Sequence, residues 1–93
     1  MLESEIEKIL IIEVKKHGGV ALKFVSPGMI GVPDRIVLMN NGNMAFIELK
    51  APGKKLRPIQ EKRKSQIESL GFKVYCIDSK EQIGRILDEI EKS

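Results

Sequence analysis

An aspartate and a Glu-x-Lys triplet are the residues of this chain best suited to chemistry. Asp34 follows Pro33 and precedes an apolar run, whereas Glu48 and Lys50 lie near the end of a second apolar run. Residues two apart in a strand project from the same face, so we expect Glu48 and Lys50 to point together. A hairpin between the two runs could bring Asp34 beside them, which would gather two carboxylates and an ammonium group.

These groups together suit the hydrolysis of a phosphodiester bond. Hard divalent cations take oxygen ligands, and Asp34, Glu48 and the backbone carbonyl of Leu49 could supply them. Lys50 could orient an attacking water or neutralise charge on the phosphate. Taken singly, each residue is more often a turn residue or a member of a surface ion pair. The combination favours a site, because a carboxylate on an apolar strand face is costly unless it is paired.

The remaining pattern predicts one mixed α/β domain over residues 1–93, in the order α-β-β-β-α-β-α. Helical periodicity covers residues 3–16, and Asn40–Asn43 reads as a hairpin turn between strands at 35–39 and 44–50. Ser4 with Glu7 and Ser79 with Gln82 are capping-box patterns, the second of which opens a final helix. The apolar stripe of the first helix is predicted at Leu2, Ile6, Ile9, Leu10 and Val14, and that of the final helix at Ile83, Ile86, Leu87 and Ile90. Further strands are expected at 21–25 and 72–77. A second helix beginning at Pro58 should turn one face inward, formed by Ile59, Arg63, Ile67 and Leu70.

Composition is that of a small soluble domain, with 42% hydrophobic and 31% charged residues. The longest apolar run is far shorter than the roughly 18 residues of a membrane span, and the acidic beginning does not resemble a signal peptide. The single cysteine, Cys76, excludes an intramolecular disulfide and fits a reducing compartment. We therefore expect a cytoplasmic protein, with Cys76 in its core.

Basic residues are concentrated in one segment although the net charge is only +3. Seven lysines and arginines lie between Lys50 and Lys64 against a single acid, Glu61. A basic stripe beside a candidate metal site suits a polyanion such as DNA, although many charge runs are simply solvated surface. The residues predicted to contact DNA are Lys23, Ser26, Lys54, Lys55, Arg57, Lys62, Arg63 and Lys64.

The quoted motifs resemble a known family of nucleases. Pro33-Asp34 followed by Glu48-Leu49-Lys50 resembles the PD-(D/E)xK signature, and the predicted element order is that of the superfamily core. Residues 31–35 (Gly-Val-Pro-Asp-Arg) and 46–53 (Phe-Ile-Glu-Leu-Lys-Ala-Pro-Gly), together with Gln60, are similar to the VRR-NUC family in its short stand-alone form from phages and bacteria.

The resemblance assigns roles to individual residues. It implies a restriction-endonuclease-like fold in which Asp34 and Glu48 bind Mg²⁺ or Mn²⁺ with help from the Leu49 carbonyl. It implies that Lys50 is the catalytic lysine and that Gln60 lies at the active site.

An acid of the first helix often completes the metal site in such proteins. Glu3 and Glu7 are both candidates here, because they lie four residues apart on one side of the predicted helix. We prefer Glu3, since Glu7 has an alternative role as the acid of the capping box.

The resemblance also implies a homodimer that cuts branched DNA in the manner of a Holliday-junction resolvase. Ile11 and Ile12 fall outside the main apolar stripe of the first helix and could face a partner, although simple burial would explain them too. Two alternatives remain open at this point. One is a nicking or flap nuclease without junction preference, and the other is a non-catalytic DNA-binding module on the same fold.

Overall fold

The structure is a computed structural model that describes residues 1–93. Three helices and four strands follow the predicted order α-β-β-β-α-β-α, with a short 3-10 turn at Asn40–Gly42 inside the hairpin. The elements are α1 (Glu3–Lys16), β1 (Val20–Lys23), β2 (Arg35–Leu38), β3 (Met44–Leu49), α2 (Pro58–Ser69), β4 (Val74–Ile77) and α3 (Glu81–Glu91).

The four strands form one mixed sheet in the order β1-β2-β3-β4. The first three strands are antiparallel neighbours, and β4 runs parallel to β3. Parallel neighbours require a crossover connection, and α2 provides it. The mixed sheet flanked by helices therefore confirms the predicted fold class.

The hydrophobic core lies between one face of the sheet and the helices α1 and α3. Alternate residues of β3, namely Ala45, Ile47 and Leu49, point into it. The helices contribute their apolar stripes, Ile6, Leu10 and Val14 from α1 and Ile83, Ile86, Leu87 and Ile90 from α3. All seven helical positions match the predicted stripes, since a 3.6-residue period gives each helix a single apolar side.

The helix α2 covers the opposite face of the sheet only loosely. None of its residues is buried, and Leu70 is 71% exposed. The prediction that Leu70 is part of a buried face of α2 was therefore wrong. Leu70 lines an open groove together with Ile67 and Phe46, but it lies just after the last helical residue, Ser69, where nothing covers it.

The two predicted capping boxes have different outcomes. Because α1 begins at Glu3, its third residue is Glu5, and the Oε1 atom of Glu5 accepts a hydrogen bond of 2.7 Å from the Leu2 N–H. The prediction that Ser4 and Glu7 cap this helix was wrong. Before α3, the Gln82 Oε1 atom accepts from the Ser79 N–H at 3.2 Å, which is one half of the second box. The other half is absent, because Lys80 is the residue before the helix and no side chain caps it.

Cys76 does not belong to the core, contrary to the prediction. It is half-buried and pairs in register with Glu48 of β3, which puts it on the sheet face that α2 covers. The apolar residues next to Cys76 in β4 led to the prediction of burial. Successive side chains of a strand project from opposite faces, so these neighbours do not indicate the surroundings of Cys76. None of the helices is long and apolar enough to span a membrane.

Candidate active site

Asp34 is fixed to β3 through both its backbone and its side chain. Its N–H donates to the Ile47 carbonyl at 3.0 Å, and its Oδ2 atom accepts from the Leu49 N–H at 2.8 Å. Its carbonyl accepts from the Phe24 N–H at 2.9 Å, which closes the loop between β1 and β2. The β2–β3 hairpin therefore brings Asp34 beside the Glu48–Lys50 segment, as the sequence predicted.

Glu48 is the one charged residue that the fold buries. Its side chain is 3% exposed, and neither carboxylate oxygen has a hydrogen-bond partner. It projects from the sheet face opposite the core, where α2 and the loop before Pro33 cover it. An unsatisfied buried polar group costs about 1–3 kcal/mol, and more when it is charged, so Glu48 is a candidate for an external ligand.

The surroundings of Glu48 favour its protonated form. Burial, and after it the Asp34 carboxyl group, raise the pKa of Glu48 from 4.5 to about 8; Lys50 opposes the rise and Glu3 adds to it. Two ionised carboxylates cannot hydrogen-bond to each other, so Asp34 and Glu48 can share a bond only when one of them carries a proton. A bound cation would replace that proton.

Lys50 lies directly after β3 with its backbone held in place. Its N–H donates to the Ile77 carbonyl at 2.9 Å, which continues the β3–β4 ladder past the end of the strand. The four ion pairs of the structure do not include Lys50. Its half-buried side chain is close enough to lower the pKa of Glu48, and it remains available to a substrate.

The two acids of α1 have different surroundings. The Glu7 Oε2 atom forms an ion pair of 2.9 Å with the Arg35 Nε atom, and the Arg35 Nη1 atom also donates to the Ala21 carbonyl. Glu7 therefore ties α1 to the sheet. Glu3 forms no ion pair and lies close enough to raise the pKa of Glu48. Of the two candidates, Glu3 is the one without an ion-pair partner, and it influences the pKa of Glu48 although the three acids do not form a close cluster.

Gln60 lies at the start of α2 and borders a small cavity beside Glu48. Its Oε1 atom accepts a hydrogen bond of 2.8 Å from the Arg57 N–H. The cavity has a volume of about 10 Å³ and is lined by Gly31, Pro33, Glu48, Leu56, Gln60, Lys64 and Val74. Sequence reasoning placed Lys64 only in the DNA-binding set, and the spacing of four from Gln60 was the signal that it belongs beside the site.

The other residues predicted to bind DNA are distributed over several surfaces. The exposed ones between β3 and the middle of α2 are Lys54, Lys55, Arg57 and Lys62. Arg63 instead donates from Nε to the Ile30 carbonyl at 2.7 Å and holds the loop before Pro33. Lys23 pairs in register with Arg35, which puts it on the face opposite Glu48. Ser26 is half-buried in the loop after β1.

The residues present fit a divalent cation that takes few ligands from the protein. No cluster of three or more carboxylate, imidazole or thiol groups is close enough to hold a metal alone. The two unpartnered oxygens of Glu48 and the neighbouring Asp34 nevertheless supply hard oxygen donors. Such a set suits Mg²⁺, which keeps several waters and takes only one or two carboxylates from the protein.

Comparison with known proteins agrees with this fold. The family model of the VRR-NUC domain matches residues 2–81. A protein named "Putative nuclease p44", from Acyrthosiphon pisum secondary endosymbiont phage 1, is 49% identical over 79 residues, which cover 85% of each chain. A solved structure named "VRR_NUC domain" superposes with a TM-score of 0.86 at 22% identity, covering 95% of this chain and 97% of the other.

The fold is that of a VRR_NUC domain, and its central hairpin brings Asp34 beside the segment that carries Glu48 and Lys50. The match to the VRR-NUC family model covers most of the 93 residues, so it assigns the chain to one family. The chain belongs to the VRR-NUC family of nucleases.

Proposed function

We propose that the protein is a divalent-metal-dependent endodeoxyribonuclease that hydrolyses phosphodiester bonds in structured DNA. The observation that carries the proposal is Glu48, a buried carboxylate with two unpartnered oxygens beside Asp34. In the metal-free protein a proton neutralises this buried group, and a bound Mg²⁺ or Mn²⁺ would replace that proton.

In the proposed reaction each residue has a separate task. Asp34, Glu48 and the Leu49 carbonyl would hold the cation, with Glu3 as a further oxygen donor. When bound, the cation lowers the pKa of a coordinated water and stabilises charge on the phosphate. Lys50, which no carboxylate of the protein engages in an ion pair, would orient the attacking water or contact the negative phosphate oxygens.

The basic surface next to this site supports DNA as the substrate. Lys54, Lys55 and Arg57 are exposed in the segment that leads from β3 into α2, directly after Lys50. Cationic side chains along the path of a nucleic-acid backbone position it and release condensed counterions. We infer that this segment guides the DNA backbone to Lys50, with Lys62 extending the contact along α2.

We further propose that the protein acts on branched DNA as a homodimer. Two cuts related by two-fold symmetry require two copies of a single-site enzyme. A surface suited to a second copy is the outer part of the sheet face opposite the core. Val20 and Leu22 of β1 and Leu38 of β2 are 38–47% exposed there and carry no charge. Val20 pairs directly with Leu38, so the apolar surface is continuous across the strands.

A nicking or flap nuclease without junction preference is the second candidate within the same chemistry. It would need only one copy per DNA. The residues around Glu48 support both candidates equally, and the apolar sheet face favours the dimer.

Cleavage assays on three substrates test the chemistry and the substrate together. We expect the purified protein to cut a four-way junction into nicked duplexes with Mg²⁺ or Mn²⁺, and not with a chelator. A flap and a linear duplex should be cut more slowly. Asp34→Ala and Lys50→Ala should abolish cleavage while junction binding persists. Failure to cut any of the three substrates with either metal would contradict the enzyme proposal.

Sedimentation experiments test the dimer and locate its interface. We expect the wild type to sediment as a dimer and Leu38→Lys to sediment as a monomer, because a lysine would be buried in an apolar interface. Ile12→Lys is the matched control, because Ile12 on α1 is 53% exposed and lies on the other side of the molecule. A monomeric wild type that still cuts junctions in paired positions would contradict the dimer proposal.

A further inference from the structure

A cavity between α2 and the sheet adjoins the buried carboxylate. Its volume of about 10 Å³ is close to that of one water, and Glu48, Gln60 and Lys64 are its polar lining residues. Apolar or backbone-only neighbours, Pro33, Leu56 and Val74 among them, complete the wall. A cavity of this size holds a water when two to four polar groups face it.

The hydrogen bond at the start of α2 decides which end of the Gln60 amide is free. The Oε1 atom already accepts from the Arg57 N–H at 2.8 Å. The Nε2 group, with two N–H donors, is left without a protein partner, as is Lys64, which takes part in no ion pair. Donors therefore line the same cavity as the unpartnered oxygens of Glu48.

We propose that this partly open cavity is a water site through which Gln60 and Lys64 hold Glu48 in place. One water would accept a hydrogen bond from Gln60 or Lys64 and donate one to a Glu48 oxygen. The other Glu48 oxygen then stays free for the cation. Gln60 and Lys64 are accordingly positioning residues, which act on the metal through Glu48. This inference rests on the proposed function in one respect, namely that Glu48 binds the metal.

The consequence is a coupling between α2 and metal affinity. Groups that orient a metal-binding carboxylate typically change metal affinity by about 10–100-fold when they are removed. Since α2 has no buried residue of its own, the water would join a loosely packed helix to the most buried polar group of the sheet. DNA contacts on the exposed side of α2 would then be linked to the geometry of Glu48.

Metal titrations of the DNA-free protein by calorimetry test the role of Gln60. We expect Gln60→Leu to weaken Mn²⁺ binding by about 10–100-fold. Gln82→Leu is the control, because the Gln82 side chain accepts from the Asp78 and Ser79 N–H groups at the start of α3. Both variants should lower the melting temperature, and Gln82→Leu by at least as much, since it loses two hydrogen bonds. Equal Mn²⁺ affinities for the two variants would overturn the positioning role of Gln60.

The direction in which Lys64→Met changes the affinity for Mn²⁺ distinguishes a positioning role of Lys64 from simple charge repulsion. Removing a cation near a metal site strengthens metal binding if charge alone matters. Lys64→Met should instead weaken Mn²⁺ binding, because the water loses a donor. The control is Lys8→Met, which removes a charge from an exposed lysine of α1 and should leave the affinity unchanged. Tighter Mn²⁺ binding by Lys64→Met would overturn the role of Lys64.

A high-resolution crystal structure of the metal-free protein tests the water itself. We expect one ordered water within hydrogen-bond distance of Glu48 and of Gln60 or Lys64. An empty or collapsed cavity would overturn the inference. If the wild type binds neither Mg²⁺ nor Mn²⁺, the proposed function fails, but the crystal structure still decides whether the water site exists.

Discussion

The Leu49 backbone N–H donates a hydrogen bond of 2.8 Å to the Asp34 carboxylate, across fifteen positions of the chain. This bond lies between Glu48 and Lys50 in sequence, so it fixes Asp34 relative to both. Burial, and after it the nearby Asp34 carboxyl group, raise the pKa of Glu48. The hydrogen bond thus fixes the position of an acid that contributes to the charge state of the site.

The stability of the metal-free protein should fall as the pH rises from 4.5 to 8. Glu48 has a pKa of about 8 in the folded protein against an ordinary value of 4.5. In this window the folded state keeps a proton that the unfolded chain has lost, so rising pH favours unfolding, by at most about 1.4 kcal/mol per pH unit. Urea unfolding with a chelator at pH 5, 6.5 and 8.5 measures this, and a flat profile would contradict it.

Glu48→Gln should stabilise the metal-free protein at pH 8.5 by about 1–3 kcal/mol, since it removes a buried charge without a partner. The same variant should lose Mn²⁺ binding and the pH dependence described above. Urea unfolding gives the stability, and calorimetry gives the affinity. Lower stability than the wild type at pH 8.5 would indicate that Glu48 has a compensating partner.

The two acids of α1 should separate metal binding from stability. Glu3→Gln should weaken Mn²⁺ binding by about tenfold, or 1.4 kcal/mol, and leave the free energy of unfolding unchanged. Glu7→Gln should do the reverse, lowering stability by about 1 kcal/mol because it breaks the 2.9 Å ion pair with Arg35. Calorimetry and urea unfolding of both variants test this, and the opposite pattern would identify Glu7 as the acid of the site.

Gly31→Ala should be more damaging than Gly53→Ala. Both glycines have a φ of +81°, so both substitutions carry the left-handed strain of about 1–2 kcal/mol. At Gly31 a Cβ atom would also lie 2.8 Å from the Ile59 carbonyl oxygen, whereas at Gly53 it would meet nothing within 4 Å. We expect an additional loss of about 1–3 kcal/mol at Gly31, measured by urea unfolding. Equal losses would show that the loop before Pro33 can move away from α2.

DNA binding should depend on salt through the basic segment after β3. Replacing Lys54, Lys55 or Arg57 by methionine should flatten the plot of log affinity against log salt by about one unit per lost phosphate contact. A fluorescence anisotropy titration with a labelled junction at several salt concentrations measures the slope. Lys15→Met, an exposed lysine near the end of α1, is the control and should leave it unchanged.

Short-range patterns predicted most of the fold. The apolar periods of α1 and α3 identified every core residue they contribute, and the pairing of β2 with β3 followed from the hairpin turn. Glu48 and Lys50 on one strand, with Asp34 across the hairpin, were likewise accessible, because strand alternation and hairpin pairing are local rules.

Features that depend on packing could not be predicted from the sequence in this way. Whether Glu3 or Glu7 faces the site depends on where Arg35 lies, and that follows from the register of β2 under α1. Leu70 was assigned to the interior by helical period and Cys76 by its apolar neighbours, but each lies outside the core. The cavity shared by Gln60, Lys64 and Glu48 exists only because α2 crosses above β3 and β4.

The sequence by itself determined the types of the reactive groups, the strand that carries them and the basic segment beside them, because all of these depend on neighbours within a few residues. The tertiary structure decided which acid of α1 approaches Glu48, how completely Glu48 is removed from water, and which donors of α2 face it. Those properties depend on contacts between segments far apart in the chain, and burial of a charge has meaning only once the surrounding elements have packed.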